Sequence, residues 1–130
     1  MSVTIQVSYG ELIDKITILE IKVTSLRDPK KLQNVQRDLD ALNSIFASTY
    51  DEINNEQIVE LRANLKVVNK TLWDIEDAIR YKESAKTFDS EFIELARSVY
   101  IVNDERSRLK RCIDELVGSQ ITEEKSYQPY

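Results

Sequence analysis

Three pairs of carboxylates, each spaced three residues apart, are the side chains whose type and spacing best suit chemistry. They are Glu11 with Asp14, Asp74 with Asp77, and Glu91 with Glu94. Such pairs share a helix face, and on facing helices they could hold Mg²⁺ above a nucleotide pyrophosphate, because a hard cation takes several oxygen ligands. One hypothesis is therefore a small metal-dependent all-α enzyme acting on a nucleotide or sugar-nucleotide. With 23 acidic residues in 130, however, such pairs also arise by chance on solvated faces. We prefer that interpretation and assign no catalytic residue, metal ligand or cofactor.

Polar and aromatic stripes beside the apolar seams of the last two helices are a second candidate. One stripe contains Trp73, Asp77 and Arg80, and the other contains Arg97, Tyr100 and Asn103. One interpretation is a binding cleft between the two helices. We prefer a network at the edge of the core, in which the aromatic rings are buried and each satisfies one polar atom. If the turn between these helices centres near Thr87, Arg97 lies near Asp77 and Tyr100 near Asp74.

Arg106 interrupts an apolar stripe, and Asn103 lies one turn before it. The rest of the stripe has helical spacing: Phe92, Leu95, Val99, Val102, Leu109, Ile113 and Leu116. With the first and last helices antiparallel, the sequence predicts Arg106 opposite Glu20, and Arg111 opposite Asp14 or Lys15. The Arg106 stem would then pack on Leu19 and Val23, and Asn103 would accept one of its N–H groups. We prefer this to a ligand pocket in which Arg106 and Asn103 await an anion, because buried charges are usually paired within the protein.

Composition excludes several classes of function. The chain has no histidine, so His-based catalysis and His-ligated metal sites are excluded, and its net charge of −5 disfavours nucleic acid and anionic membranes. The basic run "ERSRLKR" (105–111) is spread around a helix and is expected to pair with acids of the first helix. Cys112 is the only cysteine. It is expected at the edge of the core rather than in a redox role, and the default compartment is the cytoplasm. No apolar run is long enough to insert into a bilayer.

Capping signals and apolar spacing predict four helices. The first runs from Tyr9 to about Leu26 after a capping box, the second starts at Pro29, the third spans about Glu56 to Ala85, and the fourth lies between Asp89 and Gly118. Asn54 and Asn55 mark a break. The predicted fold is all-α: a four-helix antiparallel bundle or long antiparallel coiled-coil hairpins. We expect a single domain over residues 1–118, a polar tail over 119–130, and an extended segment at residues 3–7 that pairs with the tail, pairs across a dimer, or stays unpaired.

The first helix is apolar on two opposite sides. Its seam consists of Leu12, Ile16, Leu19, Val23 and Leu26. Ile18 and Ile21 point the other way, since successive helical residues are rotated by about 100°. We expect a second chain or residues 1–7 to cover them, which favours a homodimer.

Several blocks of the sequence resemble an uncharacterised family of small helical bacterial proteins. The blocks are "YGELIDKITILEIK" (9–22), "LWDIEDAIR" (72–80), "FIELARSVYIVNDERSRLK" (92–110) and "GSQITEEKSY" (118–127). Members of that family are sometimes encoded beside glycosyltransferases. The resemblance implies a link to cell-surface glycan biosynthesis but no activity and no functional residue. The resulting hypothesis is a protein-interaction or accessory module, homo-oligomeric, with an unidentified protein partner.

Overall fold

Four α-helices follow one another along the chain: α1 (Tyr9–Ser25), α2 (Pro29–Ile53), α3 (Glu56–Ser84) and α4 (Ser90–Val117). The computed structural model describes residues 1–53, 56–118 and 126–130, without the side chains of residues 50–53. The predicted all-α class is confirmed. Residues 1–7 are exposed and form neither helix nor strand. The predicted break at Asn54 and Asn55, and the tail residues 119–125, lie outside the described residues.

The predicted caps at the starts of α1 and α2 are confirmed. The Ser8 hydroxyl accepts the backbone N–H of Glu11 at 3.1 Å, and the Asp28 carboxylate accepts that of Lys30 at 2.9 Å. The capping box is nevertheless only half made, because the Glu11 carboxylate turns to Lys110 of α4, with 2.6 Å between the charged atoms. The start of α1 is therefore tied to α4 as well as capped locally.

The two ends of α4 also form as the sequence predicts. Asp89 accepts the backbone N–H of Phe92 at 2.9 Å. Phe88 lies against Phe92, with 5.2 Å between ring centroids in an edge-to-face arrangement. Gly118 ends the helix in the left-handed region at φ 67°, which suits a residue without a Cβ.

Helix α1 lies between α2 on one side and the antiparallel α3–α4 hairpin on the other. Leu12 and Ile16 pack with Leu39 of α2, and Leu19 and Val23 join that cluster. On the other side, Ile13 packs with core residues of the hairpin: Ile58, Leu65, Leu109 and Ile113. The helices are thus stacked in layers, and α2 packs mainly on α1.

This layering corrects the prediction for the second apolar side of α1. Ile21 is only 3% exposed within a single chain, and Ile18 is half-buried beside Trp73 and Arg106. Both share a face with Thr17, which hydrogen-bonds to α3. The hairpin covers this face, so neither a second chain nor residues 1–7 are needed to explain its apolar character.

The α3–α4 hairpin is much longer than the part that α1 covers. We call residues 58–69 and 106–117 the clamped half, and residues 74–104 the distal hairpin. The clamped half contains all the buried residues of both helices, whereas every residue of the distal hairpin is half-buried or exposed. The apolar seam continues through both parts. Leu116, which the sequence places at the C-terminal end of the α4 stripe, is exposed. Val117 packs against the core instead.

Candidate functional site

A buried polar cluster joins α1 to both helices of the hairpin. Its centre is Asp14, which is 1% exposed. Arg106 of α4 binds both carboxylate oxygens, with Nε 2.9 Å from Oδ1 and Nη2 2.5 Å from Oδ2. A bidentate pair of this kind fixes the orientation of both side chains.

Asn69 of α3 completes the cluster from the other side. Its two amide hydrogens go to Asp14 Oδ1 and Thr17 Oγ1, both at 2.9 Å. The Thr17 hydroxyl in turn donates to the backbone carbonyl of Asp14 at 2.8 Å. Among the described residues, no side-chain nitrogen or oxygen that is sealed from solvent lacks a partner.

The start of α1 approaches α4 very closely. The Gly10 backbone N–H donates to the Asp114 carboxylate at 2.6 Å. A Cβ at Gly10 would lie 2.5 Å from the backbone carbonyl oxygen of Lys110, so only glycine fits without a shift. Gly10 contacts Asp114, and Asp14, one turn later in α1, contacts Arg106, which comes earlier in α4. The helices α1 and α4 are therefore antiparallel, as predicted.

The partner predicted for Arg106 is wrong. Arg106 pairs with Asp14, and Glu20 instead receives Arg62 and Lys66 of α3, each at 3.5 Å. The reason is the orientation of α1: Asp14 lies on the face toward the hairpin, whereas the proposed packing residues Leu19 and Val23 face α2.

Two neighbouring predictions have different outcomes. Asn103 does accept an Arg106 N–H, at 3.3 Å, as expected. Asp14 is held by Arg106, with Lys110 3.9 Å away, while the placement of Arg111 opposite Asp14 or Lys15 stays a prediction.

The carboxylate pairs do not converge on a shared site. Glu11 and Asp14 are held by Lys110 and Arg106. Three of the other four bind nearby cations: Asp74 binds Lys70, Glu91 binds Lys82, and Glu94 binds Arg97. The fourth, Asp77, lines a separate cleft. Within the part of the chain that the structure describes, no three of the Asp, Glu or Cys residues are placed to hold a metal ion. Over the described residues, the carboxylate pairs therefore do not form the shared site that this enzyme hypothesis needs.

The two polar stripes open onto different clefts rather than one. Arg97 donates to Glu94 of its own helix at 3.2 Å. Tyr100 packs against Tyr130, with 5.2 Å between ring centroids, while Asp74 pairs with Lys70. The turn between Ser84 and Ser90 is centred on Thr87 as predicted, and the nearness of Arg97 to Asp77 and of Tyr100 to Asp74 stays a prediction. Tyr100 and Asn103 line a groove with the chain end, residues 127–130.

The other stripe lines a cleft of about 480 Å³ that adjoins the buried polar cluster. Ile18 and Arg106 contribute from α1 and α4. The remaining lining residues come from α3: Asn69, Leu72, Trp73, Glu76, Asp77 and Arg80. Arg80 pairs with Glu76 at 3.4 Å.

Sequence reasoning missed Asn69, Thr17 and Gly10. Asn69 lies next to the seam residue Val68, so its type alone does not reveal that α1 would bury it. Gly10 did carry a signal: it is one of two glycines in the chain and lies inside a predicted helix, where glycine is unfavourable unless close packing requires it.

The basic run and the cysteine agree with their structural interpretations. Arg108 binds Glu105 at 2.6 Å, and Lys110 and Arg106 bind acids of α1. Cys112 is half-buried and forms no disulfide. Arg106 and Lys110 thus pair with acids of α1 as expected, whereas Arg108 pairs with an acid of its own helix.

Comparisons with known proteins give a single finding. Residues 3–130 match the model of a family described as "Family of unknown function (DUF6165)". No match was found among curated proteins or among solved structures. Over the described residues, no helix has the length and apolar character needed to cross a membrane.

Proposed function

The chain belongs to this family of unknown function, and we propose that it is a homodimeric protein-interaction module that associates through its distal hairpin. The observation that supports this proposal is the continuous apolar seam of residues 74–104, of which no residue is buried in a single chain. The seam residues of the distal hairpin stay half-buried, because α1 covers only the clamped half.

The distal hairpin also exposes large apolar side chains outside its seam. Phe88 is 57% exposed, Ile93 54%, Tyr100 45% and Ile101 44%. Contiguous exposed apolar residues mark interaction surfaces more often than isolated ones do. They lie on α4 and at the turn before it, where a partner could reach them without moving α1 or α2.

A second copy of this hairpin is the occupant we propose. Two antiparallel helices bury about half of their seam against each other, and two further helices of equal length complete a four-helix bundle. A two-fold dimer presents the same patch from both subunits, so matching length is guaranteed.

The test is the mass of the protein in solution, measured by light scattering over a range of concentrations. We expect twice the 15.1 kDa of one chain. The double variant Ile93→Glu, Ile101→Glu should be monomeric with unchanged helicity, because both side chains are exposed and their replacement leaves the core intact.

A matched control lies in the clamped half of α3. Val59 is 59% exposed and Val67 65% exposed, so Val59→Glu with Val67→Glu adds the same charges to an equally exposed apolar surface. This variant should remain dimeric. A wild-type chain that weighs one subunit at every concentration, or a dimer lost only in the control, would overturn the proposal.

We also propose a role in cell-surface glycan biosynthesis and a cytoplasmic location, which do not depend on the distal hairpin. A role in cell-surface glycan biosynthesis is supported only by the resemblance of the quoted blocks. Deletion of the gene followed by analysis of surface glycans tests it, and unchanged glycans would remove this link without affecting the dimer. A cytoplasmic location is supported by the single, unbridged cysteine and is tested by fractionation.

A further inference from the structure

We propose that the cleft beside the buried polar cluster binds an organic cation, namely an alkylammonium or guanidinium group. Three side chains of α3 carry this inference: Asn69, Trp73 and Asp77 all line the cleft. They are spaced four residues apart on one helix face, so they span about 12 Å at 1.5 Å per residue. The cleft is formed by α1, α3 and α4 of one chain, so the inference does not depend on the proposed dimer.

Asn69 presents an unused hydrogen-bond acceptor to the cleft. The residue is 5% exposed, and both of its amide hydrogens are used by Asp14 and Thr17. Its carbonyl oxygen has no partner among the described residues. That oxygen remains accessible, because no sealed side-chain atom of the described chain is unpaired, and Asn69 lines the cleft. The cluster behind it therefore fixes the position of an acceptor in the wall of the cleft.

Asp77 supplies the charge that a cation requires. The cations nearby are already neutralised: Arg106 by Asp14 beneath the cleft, and Arg80 by Glu76 at its rim. The Asp77 carboxylate forms no ion pair within the described chain. The cleft with its floor thus carries one uncompensated negative charge. An anionic ligand would be repelled by this charge, and a neutral ligand would leave it unpaired.

Trp73 lies between these two acceptors. A cation over an indole face is attracted by the negative charge of the ring face, and tryptophan binds cations best among the aromatic side chains. Ile18 and Leu72 add an apolar wall for methylene groups. A ligand with its cationic group near Asp77, its carbon chain on Trp73 and an N–H toward Asn69 would use both unpartnered acceptors of the cleft.

The same chemistry has two sources: a free small amine or guanidine, and the basic side chain of a polypeptide. Both present a methylene chain that ends in a cation. The cleft volume of about 480 Å³ falls in the range typical of small-ligand sites, and one lysine or arginine side chain would also fit. The experiment therefore includes a probe for each source.

Trp73 makes the experiment direct, because it is the only tryptophan in the chain. Its fluorescence is titrated with butylguanidinium, and with butylurea as a neutral compound of nearly the same shape. We expect a saturable change with the cation and none with the urea. A blocked Gly-Arg-Gly peptide, with its citrulline counterpart as the neutral control, tests the polypeptide source.

Two variants separate the cleft from general surface charge. Asp77→Asn should weaken binding of the cation about two- to fivefold, the effect expected when an exposed ion pair is lost. Asp74→Asn is the control: that carboxylate is also exposed on α3, is paired with Lys70, and is absent from the lining of the cleft. It should leave the affinity unchanged.

Each outcome decides the proposal. Saturation by butylguanidinium supports a small cation as ligand, and saturation by the arginine peptide alone supports a basic side chain. The proposal is overturned if neither cation gives saturation, if the neutral compounds bind equally well, or if Asp77→Asn binds as tightly as the wild type.

Discussion

The clamped half and the distal hairpin carry the same apolar spacing on the same two helices, but they differ in what holds them. In the clamped half Leu65, Leu109 and Ile113 are almost completely buried. In the distal hairpin the equivalent positions, such as Ile79 and Leu95, are only half-buried. The difference is the presence of α1, which covers one part and ends before the other.

The two parts also differ in how their charges are used. Asp14 and Arg106 form a buried bidentate pair, whereas the distal acids that are paired, such as Glu76 and Glu94, bind neighbouring cations on the surface. A buried pair adds little net stability over an apolar one, but its loss is costly because one charge is left unpaired. Exposed pairs are worth about 0–1 kcal/mol. The buried cluster therefore fixes the orientation in which α1 packs on the hairpin. The surface pairs do not fix the packing of any helix.

The largest effect is expected at the centre of the cluster. Asp14→Ala leaves Arg106 and Asn69 without their acceptor and should cost about 3–5 kcal/mol of the free energy of unfolding, measured by urea denaturation. Asp74→Ala in the distal hairpin removes only an exposed pair and should cost under about 0.5 kcal/mol.

A double variant keeps this prediction testable if Asp14→Ala unfolds. Asp14→Ala combined with Arg106→Ala removes both charges, so it should be less destabilised than the sum of the two single variants. Additive costs would show that the pair is not coupled.

The same substitution, leucine to alanine, can be made in the seam of the clamped half and in that of the distal hairpin. Leu65→Ala creates a cavity in a fully buried position, with an expected cost of about 2–5 kcal/mol. Leu95→Ala in the distal hairpin should cost roughly half as much in the monomer, because its side chain is already partly hydrated. Equal costs at equal protein concentration would indicate that a partner buries Leu95, as the proposed dimer requires. The monomeric Ile93→Glu, Ile101→Glu background separates the two cases.

The close approach of α1 to α4 is expected to have a smaller effect. Gly10→Ala places a Cβ against the Lys110 backbone and should cost about 1–3 kcal/mol through overpacking. Gly118→Ala is the control. Among the described residues beyond its chain neighbours, none lies within 4 Å of a Cβ there, so the positive φ is the unfavourable feature, at about 1 kcal/mol. If Gly10→Ala proved harmless, the two helices would be further apart than described.

The smallest expected effect concerns pH and the tip of the distal hairpin. The Phe92 backbone N–H and then the Lys82 ammonium hold the pKa of the Asp89 carboxyl below its ordinary value of 3.8. Because the pKa is lower in the folded state, the contribution of Asp89 is complete above that value and is lost as the pH falls through the folded pKa. Asp89→Asn keeps the capping oxygen but does not titrate, so its urea midpoint should fall less steeply below pH 4 than that of the wild type.

Much of the fold could be predicted from the sequence, because its signals are local. Ser8, Asp28 and Asp89 each cap a helix through atoms within three residues, and Gly118 ends one through its own conformation. The apolar spacing of α3 and α4 predicted their seam. The interruption of the stripe at Arg106 correctly indicated a paired charge, and its neighbour Asn103 was correctly placed.

The identity of the contacts between helices was decided only by the tertiary structure. Which acid meets Arg106 depends on how α1 is rotated between α2 and the hairpin, and periodicity leaves that rotation open when a helix is apolar on two sides. The sequence therefore predicted Glu20, and the structure has Asp14. For the same reason Ile21 is buried by its own chain, and Asn69, which looked like a surface residue of α3, lies beneath the cleft. The sequence by itself determined where each helix begins, ends and is apolar, because those properties depend on neighbours along the chain. The layered order, the buried cluster and the cleft depend on neighbours in space.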